Sequence, residues 1–243
     1  MRREKIKFII LRTLGNFFLL FSLFGMIMTF GPALYFEVLY RVREVRNVKY
    51  IVAAYPTPTP PTPTFKDFIT PQPTEAPKTT LFGQLTGGDK TEILSPVSAQ
   101  FGLVIPKIGA NVQIFPNVDA GKPNVYLPIL QKGVAHAAGS VFPGVSGNIY
   151  LFAHSTDAFW NVGRYNAIFY LLKELDKNDE VDVFFLGVRH IYKVVDKLIV
   201  DPSQVQYLTI PVPYEQLSLQ TCWPPGTTLK RLIVLARLEG EVD

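Results

Sequence analysis

One cysteine, three histidines and two tryptophans are all that a chain of 243 residues holds of those types. A lone Cys excludes an intrachain disulfide, and three His beside one thiol leave little from which to build a Cys/His metal centre, so no cofactor is expected. Charge of one sign is scarce as well: 24 Lys+Arg face 20 Asp+Glu, for a formal net charge of +4. The excess gathers at Arg2, Arg3, Lys5, Lys7 and Arg12 rather than along a folded domain, and no nucleic-acid partner is expected. Low hydrophobicity is also missing. At 48% hydrophobic and 13% aromatic, with a mean hydropathy of +0.18, the chain is not a disordered tail. Proline is abundant, at 20 residues, and unevenly placed.

Thr13 to Phe36 carries no charged side chain and is bounded by Arg12 and Glu37. As a helix it would reach about 36 Å, enough for a hydrocarbon core of roughly 30 Å with some tilt. A cleaved signal peptide has a shorter apolar region of about 7–15 residues ending in small residues, whereas here Phe, Leu and Met continue to Phe36. An uncleaved anchor to a lipid bilayer is the expectation. Arg41, Arg43, Arg46 and Lys49 follow the span, so the positive-inside rule leans only slightly toward a cytoplasmic amino terminus.

Pro56–Thr64 then reads PTPTPPTPT, and Thr70–Pro77 reads TPQPTEAP. Each Pro removes a donor and fixes φ, which suits neither a ladder nor a helix. The expected form is a polyproline-II-like spacer, with Tyr55–Pro77 spanning roughly 70 Å. Linker character extends to about Gln100. The sequence thus divides into a basic tail (1–12), a transmembrane anchor (13–36), a juxtamembrane segment with a Pro/Thr-rich linker (37–100) and a globular domain (101–243).

That domain reads as short apolar runs separated by turn signals. Strands are predicted over Phe101–Ile108, Asn111–Pro116, Asn148–Ala153, Glu180–Leu186, His190–Val200, Leu217–Cys222 and Lys230–Leu238. Asn166–Leu175 instead places Ile168, Leu171, Leu172 and Leu175 at helical spacing. The fold class is mainly β: a closed or nearly closed barrel of about seven to eight strands with one or two short helices.

Three side chains could carry chemistry. Cys222 ends the apolar run Leu217–Cys222, and Trp223-Pro224-Pro225-Gly226 must leave the sheet. A free Cys is very often only a small buried hydrophobe, but His154 ends another apolar run, Asn148–Ala153, and an imidazole at a strand exit can accept a proton from a thiol at a neighbouring exit. Arg231 opens the strand after Cys222. If those two strands form an antiparallel hairpin, Cys222 and Arg231 lie opposite each other at one rim, and a guanidinium there is a permanent donor for a thiolate or an oxyanion. Each residue alone also has a bland reading: packed thiol, loop histidine, solvated strand-end charge.

The block Leu103–Leu238 resembles the sortases, membrane-anchored cysteine transpeptidases of bacterial surfaces. Leu103-Val104-Ile105-Pro106-Lys107-Ile108-Gly109 is similar to their opening strand. Gly133-Val134-Ala135-His136 with Gly139–Gly144, and then Asn148–His154, are similar to the approach to and the strand of their catalytic His. Leu217-Ser218-Leu219-Gln220-Thr221-Cys222 resembles their TLxTC signature, with Pro224, Gly226 and Arg231 following in pattern. Ser218 stands where Thr is usual, and Ala153 and Ser155 flank the His where many members differ. No second apolar span follows Leu238, so the class D/E-like single-anchor type is favoured over the pilin-polymerising type with a carboxy-terminal anchor.

The resemblance implies that Cys222, His154 and Arg231 are catalytic. It further implies a Cys thioester formed on a Leu-Pro-x-Thr-Gly-like sorting motif of a surface-protein precursor, and transfer to an amine of a peptidoglycan precursor or a protein Lys. The enzyme would sit in the cytoplasmic membrane as a single-pass protein with its amino terminus inside and its barrel outside. Thr221, Ser218, Val205, Leu208 and Ile210 are the expected substrate-binding residues. His136 is read as a loop-ordering hydrogen-bonder, His190 as a surface residue, and Asp157 as a turn former. The alternatives are a stalked, non-catalytic surface-binding β-domain and an L,D-transpeptidase-like cell-wall enzyme. The latter pattern puts Gly immediately before the Cys, where this chain has Thr221.

Overall fold

A computed structural model describes residues 2–55, 90–155, 169–209 and 211–239. Asp157, Trp160–Tyr165, Ile210 and the Pro/Thr tract from Pro56 onward lie outside the described residues. The strands are β1 (Val48–Val52), β2 (Lys90–Leu94), β3 (Phe101–Ile105), β4 (Ala110–Val118), β5 (Val134–Ala137), β6 (Gly147–Phe152), β7 (Glu180–Phe185), β8 (Val188–Val200), β9 (Glu215–Trp223) and β10 (Lys230–Leu238). The helices are α1 (Arg2–Val45), α2 (Pro123–Leu130) and the single turn α3 (Gln206–Thr209).

β3 to β10 close into a barrel in the order β10-β8-β7-β3-β4-β5-β6-β9. The interior is filled by alternate residues of each strand, among them Leu103, Ile105, Ile114, Ile149, Leu151, Val183, Leu217, Leu219 and Val234, all nearly or wholly buried. Removing one such Leu or Ile side chain from water stabilises the fold by about 1.5–3 kcal/mol. Most neighbours are antiparallel, but β4 pairs with β5 and β6 with β9 in parallel. The second of these parallel pairs sets the site.

The expected strands appear with shifted ends. The first stops at Ile105, because Pro106 opens a 3-10 turn (Pro106–Ile108) closed by Gly109 at φ 65°, a left-handed conformation that suits glycine. β5 and α2 were not predicted as elements. β5 is only Val-Ala-His-Ala, too short to show alternation. α2 hides behind two prolines: Pro123 is tolerated in the first turn, and Pro128 sits inside the helix. The helix expected over Asn166–Leu175 is, in its described part, a 3-10 turn (Tyr170–Glu174) that buries Leu171 and Leu172.

The linker reading of residues 37–100 needs correction. Arg3–Ile27 is apolar and long enough to cross a membrane, yet α1 runs on to Val45 and its last turns dock on the barrel. Tyr40 joins the core cluster, Lys173 Nζ lies 2.8 Å from Glu37 Oε2, and Arg41 Nη2 lies 3.4 Å from Glu174. β1 and β2 then pair in parallel, and Val52, Leu94 and Tyr55 pack on Val104 and Phe184 of the barrel wall. Beyond β2, Asn111 holds Ser95 and Val97 through its side-chain amide. Tyr55, just before the Pro/Thr tract, and Leu94 of β2 are therefore both packed on the barrel wall. The described connection from α1 to the barrel surface is the turn into β1, and no spacer stands between them.

Candidate active site

β6, β9 and β10 are successive strands of the barrel wall. Phe152 faces Gln220 across the parallel pair, and the next positions on that face are His154 and Cys222. The alignment persists past the end of β6: the Ala153 N–H donates to the Gln220 carbonyl at 3.2 Å, and Thr221 Oγ1 donates to the Ala153 carbonyl at 3.0 Å. On the other side, Arg231 faces Cys222 across the antiparallel pair. Directly opposed residues point to the same face of a sheet. Imidazole, sulfur and guanidinium thus leave three adjacent strands in one row, on the outer face of the barrel wall.

The row lies in a cleft of about 700 Å³ that His154, Cys222 and Arg231 all line. Cys222 is half-buried, and burial pushes its thiol above the ordinary value while the Arg231 charge pulls it down. A neutral thiol is therefore the resting form at neutral pH, and a thiolate must be made with help. Arg231 is held at the rim by Nη1, which donates to the carbonyls of Thr228 and Lys230 at 3.1 and 3.0 Å. Those carbonyls belong to or border the Pro224–Leu229 connection, where Gly226 takes a positive φ of 79°. The His154 carbonyl accepts from the N–H of fully buried Phe169 at 3.3 Å, which ties the strand exit to the core.

The five expected substrate-binding residues are placed differently. Thr221 lines the cleft but is nearly buried, and its hydroxyl bridges β9 to the residue before His154. Val205 lines the cleft and is 61% exposed. Ser218 does not line it. Fully buried, it donates to Asn148 Oδ1 at 2.7 Å, and Asn148 Nδ2 in turn donates to the Tyr207 carbonyl at 2.8 Å. Ser218 thereby pins α3, the turn following Val205, rather than facing a ligand. Leu208 belongs to α3, and Ile210 is outside the described residues.

The other two histidines are not aimed at the cleft. His136 is wholly buried; its Nδ1 accepts from the Asn117 N–H at 3.3 Å, so Nε2 carries the proton and donates to the Val141 carbonyl at 3.0 Å. Burial lowers its basicity, and its ring lies against Phe142 with centroids 4.5 Å apart. It orders the loop before β6. His190, expected on the surface, is buried within β8. The β7–β8 hairpin extends to Val188, so alternation sends His190 to the same side as Tyr192 and Val194. Glu215 Oε1 lies 3.7 Å from its Nδ1.

Sequence reasoning missed Tyr126, Leu127 and Leu130 of α2, which line the cleft, together with Tyr150, Phe152 and Gln220. The signal for the last three was present: they share strand parity with His154 and Cys222. For α2 the prolines concealed it. Among the described residues there is no cluster of His, Cys, Asp or Glu able to hold a metal ion.

The family model described as the sortase domain matches residues 103–239. Sortase D of Bacillus subtilis (strain 168) is 30% identical over 138 residues, covering 56% of this chain and 61% of that protein. The match thus spans about three fifths of that relative's length. Among solved structures, sortase C-1 from Actinomyces oris superposes with a TM-score of 0.50 at 27% identity, covering 60% of this chain and 77% of that one. A lid mutant of sortase A from Corynebacterium diphtheriae gives a TM-score of 0.48 at 26% identity, over 60% and 72% of the respective chains.

Proposed function

Because this chain belongs to the sortase family, we propose that it is a cysteine transpeptidase whose nucleophile is Cys222, whose acid and base is His154, and whose oxyanion donor is Arg231. The supporting observation is the row these three form along β6, β9 and β10 at one end of the cleft. His154 takes the Cys222 proton as sulfur attacks a peptide carbonyl. The developing oxyanion is met by Arg231, a contribution of order ~3 kcal/mol for a donor of this kind. His154 then returns the proton to the leaving amine and a thioester remains. An incoming amine loses its proton to His154, attacks the thioester carbonyl and expels the thiolate, which is reprotonated. Every proton is conserved, and no metal or redox partner enters.

The acyl donor in this reading is a surface-protein precursor carrying a Leu-Pro-x-Thr-Gly-like motif, and the acceptor is an amine of a peptidoglycan precursor or a protein Lys. The apolar segment Arg3–Ile27 of α1 anchors the enzyme in the cytoplasmic membrane, with the amino terminus inside and the barrel outside. The test is peptide turnover by the full chain in detergent, with a library of sorting peptides and with or without an amine such as triglycine. Turnover lost in Cys222→Ala and His154→Ala and deeply cut in Arg231→Ala supports the reading. Turnover retained in all three ends it.

A further inference from the structure

The cleft that receives the acyl donor is largely apolar below the catalytic row, lined by Tyr126, Leu127, Leu130 and Phe152. A polar side chain, Gln220, lies beside these apolar ones. Gln220 shares the face of Cys222 on β9, one step down the strand, and lines the same cleft. The Tyr150 hydroxyl donates to Gln220 Oε1 at 2.6 Å. Burial pushes the Tyr150 phenol well above its usual range, so it remains a donor at any pH of interest. With Oε1 held by Tyr150, the amide Nε2 is turned away from Tyr150, and no hydrogen bond from it to a described residue is present. A fixed amide donor among apolar side chains is the kind of group that orients a ligand and selects it.

Distance says what it would meet. Along a strand, Cys222 and Gln220 are about 6.6 Å apart, and an extended peptide covers the same length in two residues. The acyl half must stay bound while the leaving group departs and the amine enters, so the cleft belongs to residues on the amino side of the scissile bond. We propose that Gln220 is a substrate-binding residue. Its side-chain amide, set by Tyr150 as a positioning residue, donates a hydrogen bond to the main-chain carbonyl two residues to the amino side of the carbonyl that Cys222 attacks. This rests on the transpeptidase reading above and adds a recognition contact that the catalytic row does not supply.

The experiment uses the full chain in detergent and the best peptide from the library, made with an ordinary carbonyl or a thiocarbonyl, a weaker acceptor, at that position. Wild type should prefer the carbonyl peptide by about tenfold in kcat/KM, the size of one lost hydrogen bond, mostly through KM. Gln220→Leu should lower kcat/KM for the carbonyl peptide by about tenfold and bring the ratio of the two peptides near one. Gln220→Glu should be worse than Gln220→Leu, because a carboxylate then faces the carbonyl. Tyr150→Phe, which frees the amide to rotate, should fall between wild type and Gln220→Leu.

Labelling of Cys222 by a methanethiosulfonate reagent reports whether each variant keeps its cleft; if Gln220→Leu does not, Tyr150→Phe carries the test. A peptide ratio unchanged in Gln220→Leu, or in Tyr150→Phe alone should the first variant fail to fold, overturns the proposal. Gln220→Glu as active as wild type also overturns it, since the cleft-facing atom would then be an acceptor. A wild type inert toward every peptide, with Cys222 readily labelled, condemns the transpeptidase reading itself and is distinct from these outcomes.

Discussion

The same two strands present two chemically opposite faces. Inward, β6 and β9 contribute Ile149, Leu151, Leu217 and Leu219, each wholly buried in the barrel. Outward, they contribute Tyr150, Phe152 and His154 from one and Ser218, Gln220 and Cys222 from the other. The inner face has no tolerance for polarity, since an unpaired polar group there costs about 1–3 kcal/mol. The outer face holds six residues of mixed type because each polar one has a partner or a cleft to face. Alternation therefore does two jobs: it closes the core, and it brings a thiol, an imidazole and a guanidinium into line along one cleft.

The sharpest way to break this comparison is to change one residue on each face. Cys222→Ala should remove turnover by more than about 10⁴-fold, as loss of a nucleophile does, while leaving the free energy of urea unfolding within about 0.5 kcal/mol. Leu219→Ala, three positions away and pointing in, should do the reverse. It should cost about 2–5 kcal/mol of stability for the cavity it leaves, yet keep catalysis in whatever fraction stays folded. Equal effects of both variants on both measurements would mean that the two faces are not separate.

A smaller effect separates the members of the row. The Cys222 thiol is raised by burial and lowered by Arg231. Methanethiosulfonate labelling against pH should therefore titrate above the ordinary thiol value of 9.0, and Arg231→Gln should move the inflection higher still. The linkage has a definite sign. The fold holds the Cys222 proton more tightly than the unfolded chain does, so its contribution to stability is full below the unfolded value and is lost as pH rises through the folded one. An inflection that falls in Arg231→Gln would detach Arg231 from the sulfur.

The row was legible because its members sit where apolar runs stop, and a barrel places strand ends at a common rim. Cys222 and Arg231 were also close enough in sequence for a hairpin to set them opposite each other, and the β9–β10 pair does so. What failed to show was anything whose evidence is tertiary. β1 and β2 lie in a stretch that reads as linker because the Pro/Thr tract sits between them; only the contacts with Val104 and Phe184 reveal that this two-stranded sheet packs on the barrel. The end of α1 looks like charged juxtamembrane chain until Glu37 meets Lys173. α2 carries two prolines that local rules treat as breaks, and with it went three residues of the cleft. Ser218 was expected in the groove because it belongs to the same signature as Cys222. Its parity is right, but Asn148 and the turn at Tyr207 cover it, and coverage by a distant segment has no local signature.

Thr221 is the finest test of the two-face picture, because it belongs to the inner parity yet serves the outer row. Its hydroxyl donates to the Ala153 carbonyl, a side-chain tie between β9 and the strand end that carries His154. Thr221→Val keeps the volume and the branching but leaves that buried carbonyl without this donor, which costs about 1 kcal/mol. Stability should fall by about that much in urea unfolding. If the tie also keeps His154 in step with Cys222, kcat should fall several-fold with KM less changed, since Thr and Val offer the cleft nearly the same shape while the proton path is misaligned. Thr221→Ser, which restores the hydroxyl, should recover most of kcat. A loss of stability with kcat intact would make Thr221 a strand tie only, and the alignment of His154 would then have to come from elsewhere, with the Phe169 N–H bond to its carbonyl the next place to look.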